Sequence, residues 1–215
     1  YEVDTKLRPS GSKGPVAVRL SSFERYYAEE AWTWELQALT RARLAPVGDA
    51  ALGERAMRIV RAALVRPRDG EAVRADVANM RARMARERAA KGFWDLKLTP
   101  GGFVDIEFLV QALQLIWAAR APEVLAANTG EALTRLRQVG ALAEGEFEHL
   151  HRAWRLWSDL YQVARISLGG ASIDDAPAPL ALQLARVAGA ADLDTLRAHM
   201  AELRESVRGD FARIV

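Results

Sequence analysis

Asp4 is the first residue whose type could carry chemistry. It lies in Tyr1-Glu2-Val3-Asp4-Thr5-Lys6-Leu7, where apolar and polar residues alternate as in a strand. Aspartate is disfavoured in strands, so its presence there wants a reason. One reason is a carboxylate that holds Mg²⁺ against a nucleoside triphosphate; another is an edge strand facing water. A metal site of that kind needs more than one carboxylate, and the sequence offers no second strand aspartate. Arg8, Ser10, Gly11 and Lys13 follow in a Pro/Gly/Ser turn closed by Gly14-Pro15. A guanidinium and backbone N–H groups could grip phosphate oxygens there. The G-x-x-x-x-G-K-[ST] spacing of a P-loop is absent, and a hairpin turn with solvated charges fits the same residues.

A second polar group gathers at Asp95, Lys97, Gly101, Gly102, Asp105 and Glu107. The paired glycines permit a tight backbone approach, and Asp105 in a first helical turn complements the helix dipole. A helix start pinned by charge pairs accounts for these residues equally well. Glu35, Arg41 and Arg43 form a third group, on a helix with little polar face; charges so placed are paired structurally or kept for chemistry. His149 and His151, two apart on a helix, point to different sides and cannot share a metal.

The elements that must position these groups are mostly helical. Residues 1–20 read as a β-hairpin with a glycine-rich tip, because Val16 to Leu20 alternates again. Ser21 and Glu24 give a capping-box signal for a helix running to about Leu44. Further helices are expected over 50–65, 71–90, 103–119, 131–139, 144–168, 179–187 and 193–214, with Asn128 or Thr129 and Asp192 as caps. The helix from Phe103 carries two apolar faces, one of Ile106, Leu109, Val110, Leu113, Ile116 and Trp117, the other of Val104, Phe108, Ala112 and Leu115. A stripe of Glu107, Gln111 and Gln114 runs between them. Such a helix is buried, so Glu107 and Gln111 are expected to hydrogen-bond inside, and Glu107→Ala to cost a few kcal/mol, as lost buried networks do. The fold class is mainly α: a helical bundle preceded by a short N-terminal β-hairpin.

Composition narrows the function classes. Half of the 215 residues are hydrophobic, enough for a buried core. Thirty basic residues against 28 acidic ones leave a net charge of +2, too balanced for a protein that mainly wraps nucleic acid. The absence of cysteine excludes disulfides, cysteine-ligated zinc, iron–sulfur clusters and thiol catalysis. No apolar run approaches the ~18 residues of a membrane span, and no signal peptide opens the chain, so a cytoplasmic protein without membrane contacts is expected. Tyr1 is not a start methionine, and a chain opening in mid-strand reads as a piece of a longer polypeptide.

The blocks resemble a known family. Tyr1 to Gly11 is similar to the "VDxRLRPSG" signature of glutamine synthetase adenylyltransferases, with Lys6 in place of the commoner arginine. Ala31-Trp32-Thr33-Trp34-Glu35-Leu36-Gln37-Ala38-Leu39, followed by Arg41-Ala42-Arg43, resembles that family's "AWTWExQALxRAR". Asp95-Leu96-Lys97 and Gly101 to Gln111 resemble its "DLK…GGxxDIEFxxQ". The Trp32/Trp34 wording is similar to the C-terminal half of these two-half enzymes and argues against the related PII uridylyltransferases.

The resemblance implies transfer of AMP from ATP to a tyrosine of glutamine synthetase, with Mg²⁺ as cofactor and with the signal protein PII and glutamine as regulators. It implies Asp4 as catalytic residue and metal ligand, Arg8, Ser10, Gly11 and Lys13 as nucleotide-binding, and Glu35, Arg41, Arg43, Lys97, Asp105 and Glu107 as supporting. Residues 1–45 would end a nucleotidyltransferase domain, the hairpin being a remnant of its sheet, and 46–215 would form the associated helical domain. A helical regulatory or docking module without catalysis of its own is the alternative.

Overall fold

The computed structural model describes residues 5, 8–44, 48–169 and 172–215. Among them the regular structure is helical: α1 (Leu20–Glu29), α2 (Thr33–Leu39), α3 (Ala50–Leu64), α4 (Gly70–Glu87), α5 (Phe103–Trp117), α6 (Thr129–Gln138), α7 (Glu144–Leu168), α8 (Ala178–Val187) and α9 (Leu193–Ile214), with three single 3₁₀ turns. Side-chain caps start several of them. Asp49 accepts from Ala51 N at 2.9 Å, Asn128 from Glu131 N at 3.1 Å and Asp192 from Thr195 N at 2.7 Å.

The expected β-hairpin is not found. No strand occurs among the described residues: Val16 to Arg19 is irregular, and Leu20 already belongs to α1. The alternation there covers too few residues to outweigh an amphipathic helix entered directly from the turn. The other expected strand falls largely on Tyr1–Asp4, Lys6 and Leu7, which lie outside the described residues.

The expected helix from Ser21 to Leu44 is two helices. Glu30 and Ala31 both donate to the Tyr26 carbonyl, which ends α1, and Trp32 is extended (φ −75°, ψ 156°). Glu35 makes the break. Its buried carboxylate accepts from Trp32 N at 2.9 Å and from the Tyr26 hydroxyl at 2.9 Å, reaching back as the acidic half of a capping box does. Because the chain bends there, Trp32 and Trp34 remain 70% and 41% exposed rather than lining an apolar helix face.

α5 lies between two cores, as its two apolar faces require. Ile106, Leu109, Val110 and Leu113 pack with Leu133 and Leu136 of α6, Trp157 and Leu160 of α7, Leu184 of α8, and Leu196 and Met200 of α9. Ala112 and Leu115 pack the opposite way, on Tyr26, Tyr27, Leu36, Val60, Leu64, Val73 and Val77. Helices on both sides of residue 45 therefore share this second core. The polar stripe divides. Gln111 is buried and accepts from Gln37 Nε2 at 3.4 Å, and Gln114 donates to the Ala126 carbonyl at 3.2 Å. Glu107 instead reaches the rim.

Tyr27 gives the second core a pH signature. Burial, with the nearby Glu35 charge behind it, pushes its phenol up to about 12 from an ordinary 10. The folded state then holds this proton where the unfolded chain has released it, so stability falls as pH rises from about 10 towards 12. Denaturant titrations across that window should show the loss, and Tyr27→Phe should flatten it.

Candidate functional site

The turn after residue 7 is held by its own side chains. Arg8 donates to the carbonyls of Gly14 at 3.3 Å and Thr5 at 2.5 Å, which folds the guanidinium over the turn's backbone. Ser10 and Gly11 are both left-handed, with φ of 61° and 53°. For serine this is a strained conformation, held by the backbone bonds and the Arg8 contact of the turn itself. The N–H groups of Gly11, Lys13 and Gly14 are taken by carbonyls within the turn. Arg8 and Gly11 thus shape the loop, while Ser10 and Lys13 face outward. Asp4 lies outside the described residues.

The second polar group is an anchor. Asp95 accepts from the N–H groups of Lys91 at 3.1 Å, Lys97 at 3.1 Å and Leu98 at 2.9 Å, closing the loop before α5. Asp105 is buried, forms an ion pair with Arg81 of α4, and accepts from Gly101 N at 2.5 Å. Gly101 has φ +80°, and a Cβ there would sit 2.4 Å from the Arg204 carbonyl oxygen. Only glycine fits a left-handed residue pressed against another backbone. Trp157 donates to the Gly101 carbonyl at 3.2 Å, so α4, α7 and α9 all converge on this turn.

That anchor presents Lys97 and Glu107 to a groove of about 850 Å³, where they meet Arg41 and Arg43. Four of the expected supporting residues are therefore brought together, while Glu35 and Asp105 stay in the interior. Arg41 forms an ion pair with Glu107 across α2 and α5. Glu107 is 22% exposed and Arg41 48%, which corrects the expectation that Glu107 bonds inside. Its carboxylate meets Arg41, just past the end of α2. Glu107→Ala is accordingly expected to cost under about 1 kcal/mol, as for exposed pairs, and a thermal melt checks it.

The groove's far wall was missed from the sequence. Trp154, Arg155, Ser158, Tyr161 and Gln162 of α7 supply it, with Asn128 before α6. Their signal is the recurrence of Trp154, Ser158 and Tyr161 at i, i+4 and i+7 along the flank of the buried Leu150, Ala153, Trp157 and Leu160 stripe. His149, His151 and His199 border one hollow but form no metal-ligating cluster among the described residues: His149 pairs with Asp210 at 3.3 Å, and His151 stacks on Phe147. Burial, with Arg155 and Arg137 beside it, lowers the His151 pKa.

Magnesium does not fit the described residues. Their buried carboxylates are each committed, Glu35 to Tyr26 and Trp32, Asp105 to Arg81 and Gly101, and Asp210 to His149 and Arg213. No cluster of three or more metal-ligating side chains occurs among the described residues.

Residues 1–59 match the family model described as glutamate-ammonia ligase adenylyltransferase, and residues 71–215 match that of GlnD PII-uridylyltransferase. The two models divide the chain, and full-length comparison decides between them. A bifunctional glutamine synthetase adenylyltransferase/adenylyl-removing enzyme of Caulobacter vibrioides is 47% identical over 216 residues, covering 100% of this chain. The chain belongs to the glutamine synthetase adenylyltransferase family. Enzymes of the same name from Rhodopseudomonas palustris and Bradyrhizobium diazoefficiens are 41% and 40% identical, again over 100% of this chain. The chain spans 22% of the length of these adenylyltransferases. Among the described residues no helix is long and apolar enough to cross a membrane.

Proposed function

We propose that the full-length protein carrying these residues works in the cytoplasm, transferring AMP from ATP to a tyrosine of glutamine synthetase under the control of PII and glutamine. Identity to the bifunctional enzymes over the whole of this chain carries the reading. In it, Asp4 supplies a carboxylate at the reacting phosphate, and Lys13 with Ser10 faces the nucleotide from a turn that Arg8 and Gly11 hold in shape. The Trp32-Thr33-Trp34-Glu35 block is tied to α1 through the Tyr26–Glu35 hydrogen bond. Magnesium belongs to this reading through Asp4 and residues beyond the described ones.

The helical stretch from about residue 120 has a different part in the same reading, as docking and regulatory surface. Its one buried carboxylate among the described residues, Asp210, is taken by His149 and Arg213, and residues 71–215 match the GlnD PII-uridylyltransferase model. The test is incorporation of labelled AMP from ATP into purified glutamine synthetase by the full-length protein. Incorporation on a tyrosine is expected, and uridylyl transfer to PII in its place would overturn the reading.

A further inference from the structure

We propose that the groove between α2, the 91–102 loop and α7 is a phosphate-binding site, in which Arg43, Lys97 and Arg155 receive the oxyanion. The inference goes beyond the transfer reaction, which assigns nothing to α7. These three cations line one concavity of about 850 Å³ and come from three separate elements. None of them has an ion-pair partner among the described residues. The carboxylates that share the groove are largely spent: Glu107 on Arg41 and Glu131 on Arg135. Asp159 alone remains to offset three positive charges.

Cations lining one concave, partly walled groove raise the local concentration of anions there. Two guanidinium forks and one ammonium suit a tetrahedral, multiply charged oxyanion better than a single carboxylate. Ser158 and Gln162 add neutral polar groups on the same wall. Past Lys97 and Tyr161 the groove continues into a second hollow bordered by Phe93, Trp94 and Arg165, with room for whatever the phosphate is attached to. Free phosphate and a nucleotide share this chemistry.

Lys97 offers a local readout, because it is exposed and lines the groove. The full-length protein is acylated briefly with an amine-reactive reagent, and Lys97 modification is quantified by mass spectrometry. Inorganic phosphate, ATP, or sodium chloride at matched ionic strength is present in parallel samples. Phosphate or ATP is expected to slow Lys97 acylation at least threefold relative to chloride. Protection by phosphate assigns the site to the free anion, and protection by ATP alone assigns it to a nucleotide. In the Arg43→Gln/Arg155→Gln variant the protection should vanish, and in Ser158→Asp, which adds a carboxylate to the wall, it should vanish as well. Equal acylation in all three salts, or protection that survives both variants, overturns the proposal. AMP incorporation is read separately, so failure here leaves the transfer reading standing.

Discussion

Arg81→Met is expected to lower the free energy of unfolding by about 3–5 kcal/mol, the range for breaking a buried ion pair from one side. Arg81 and Asp105 are 10% and 7% exposed at their side chains, and the Arg81 Nη2 also donates to the Leu98 carbonyl at 3.2 Å. Methionine fills most of the volume but leaves the Asp105 carboxylate inside with the Gly101 N–H as its remaining partner. The melting temperature should drop by about 10 °C for a chain of this size. The effect should not stay local, because the same carboxylate fixes the turn on which Trp157 and the α9 backbone rest. Replacing both partners, as Arg81→Met/Asp105→Leu, removes the stranded charge and should recover much of the loss. A single variant melting within about 2 °C of the parent would show that the pair contributes little net stability.

Much of the bundle was readable because a helix reports its own faces. The two apolar stripes of α5 named two cores before any partner was known, and both exist. Asn128 and Asp192 marked helix starts through chemistry confined to three or four residues. What could not be read depended on neighbours. The break at Trp32 rests on Glu35 reaching both back to Trp32 N and across to Tyr26, and periodicity carries no sign of a carboxylate acting on another helix. Glu107 looked interior because it lies between two buried stripes, yet the α2 end offers it Arg41 at the surface. Asp105 and Glu107 sit two positions apart on the same helix and have opposite fates, one anchoring the glycine turn and one lining the groove. The cations of the groove were half legible: Arg43 and Lys97 stood in recognisable blocks, but Arg155 joins them only through the packing of α7. The nucleotide residues divide the same way. Ser10 and Lys13 keep outward positions, whereas the Arg8 guanidinium, the most phosphate-like partner on paper, is occupied by the turn it shapes.

In the full-length protein, Asp4→Asn is expected to reduce AMP transfer to glutamine synthetase by about 10²–10³-fold, the range for losing a group whose charge acts on the transition state. Asparagine keeps the size and can still accept a hydrogen bond, so the change isolates the negative charge. If Asp4 takes the tyrosine proton or balances charge at the reacting phosphate, its loss is felt as the transition state forms. The maximal rate should then fall with little change in the ATP concentration needed for half-saturation. A residue that only braced the turn would act differently, since Arg8 and the turn's own backbone bonds already hold that loop. Its replacement would shift the melting temperature and weaken ATP binding while leaving the rate at saturation largely intact. The deciding measurements are therefore the saturating rate of labelled AMP incorporation and the melt of the same preparation. A normal saturating rate with a lowered melt would remove Asp4 from the chemistry and make it part of the scaffold under the turn.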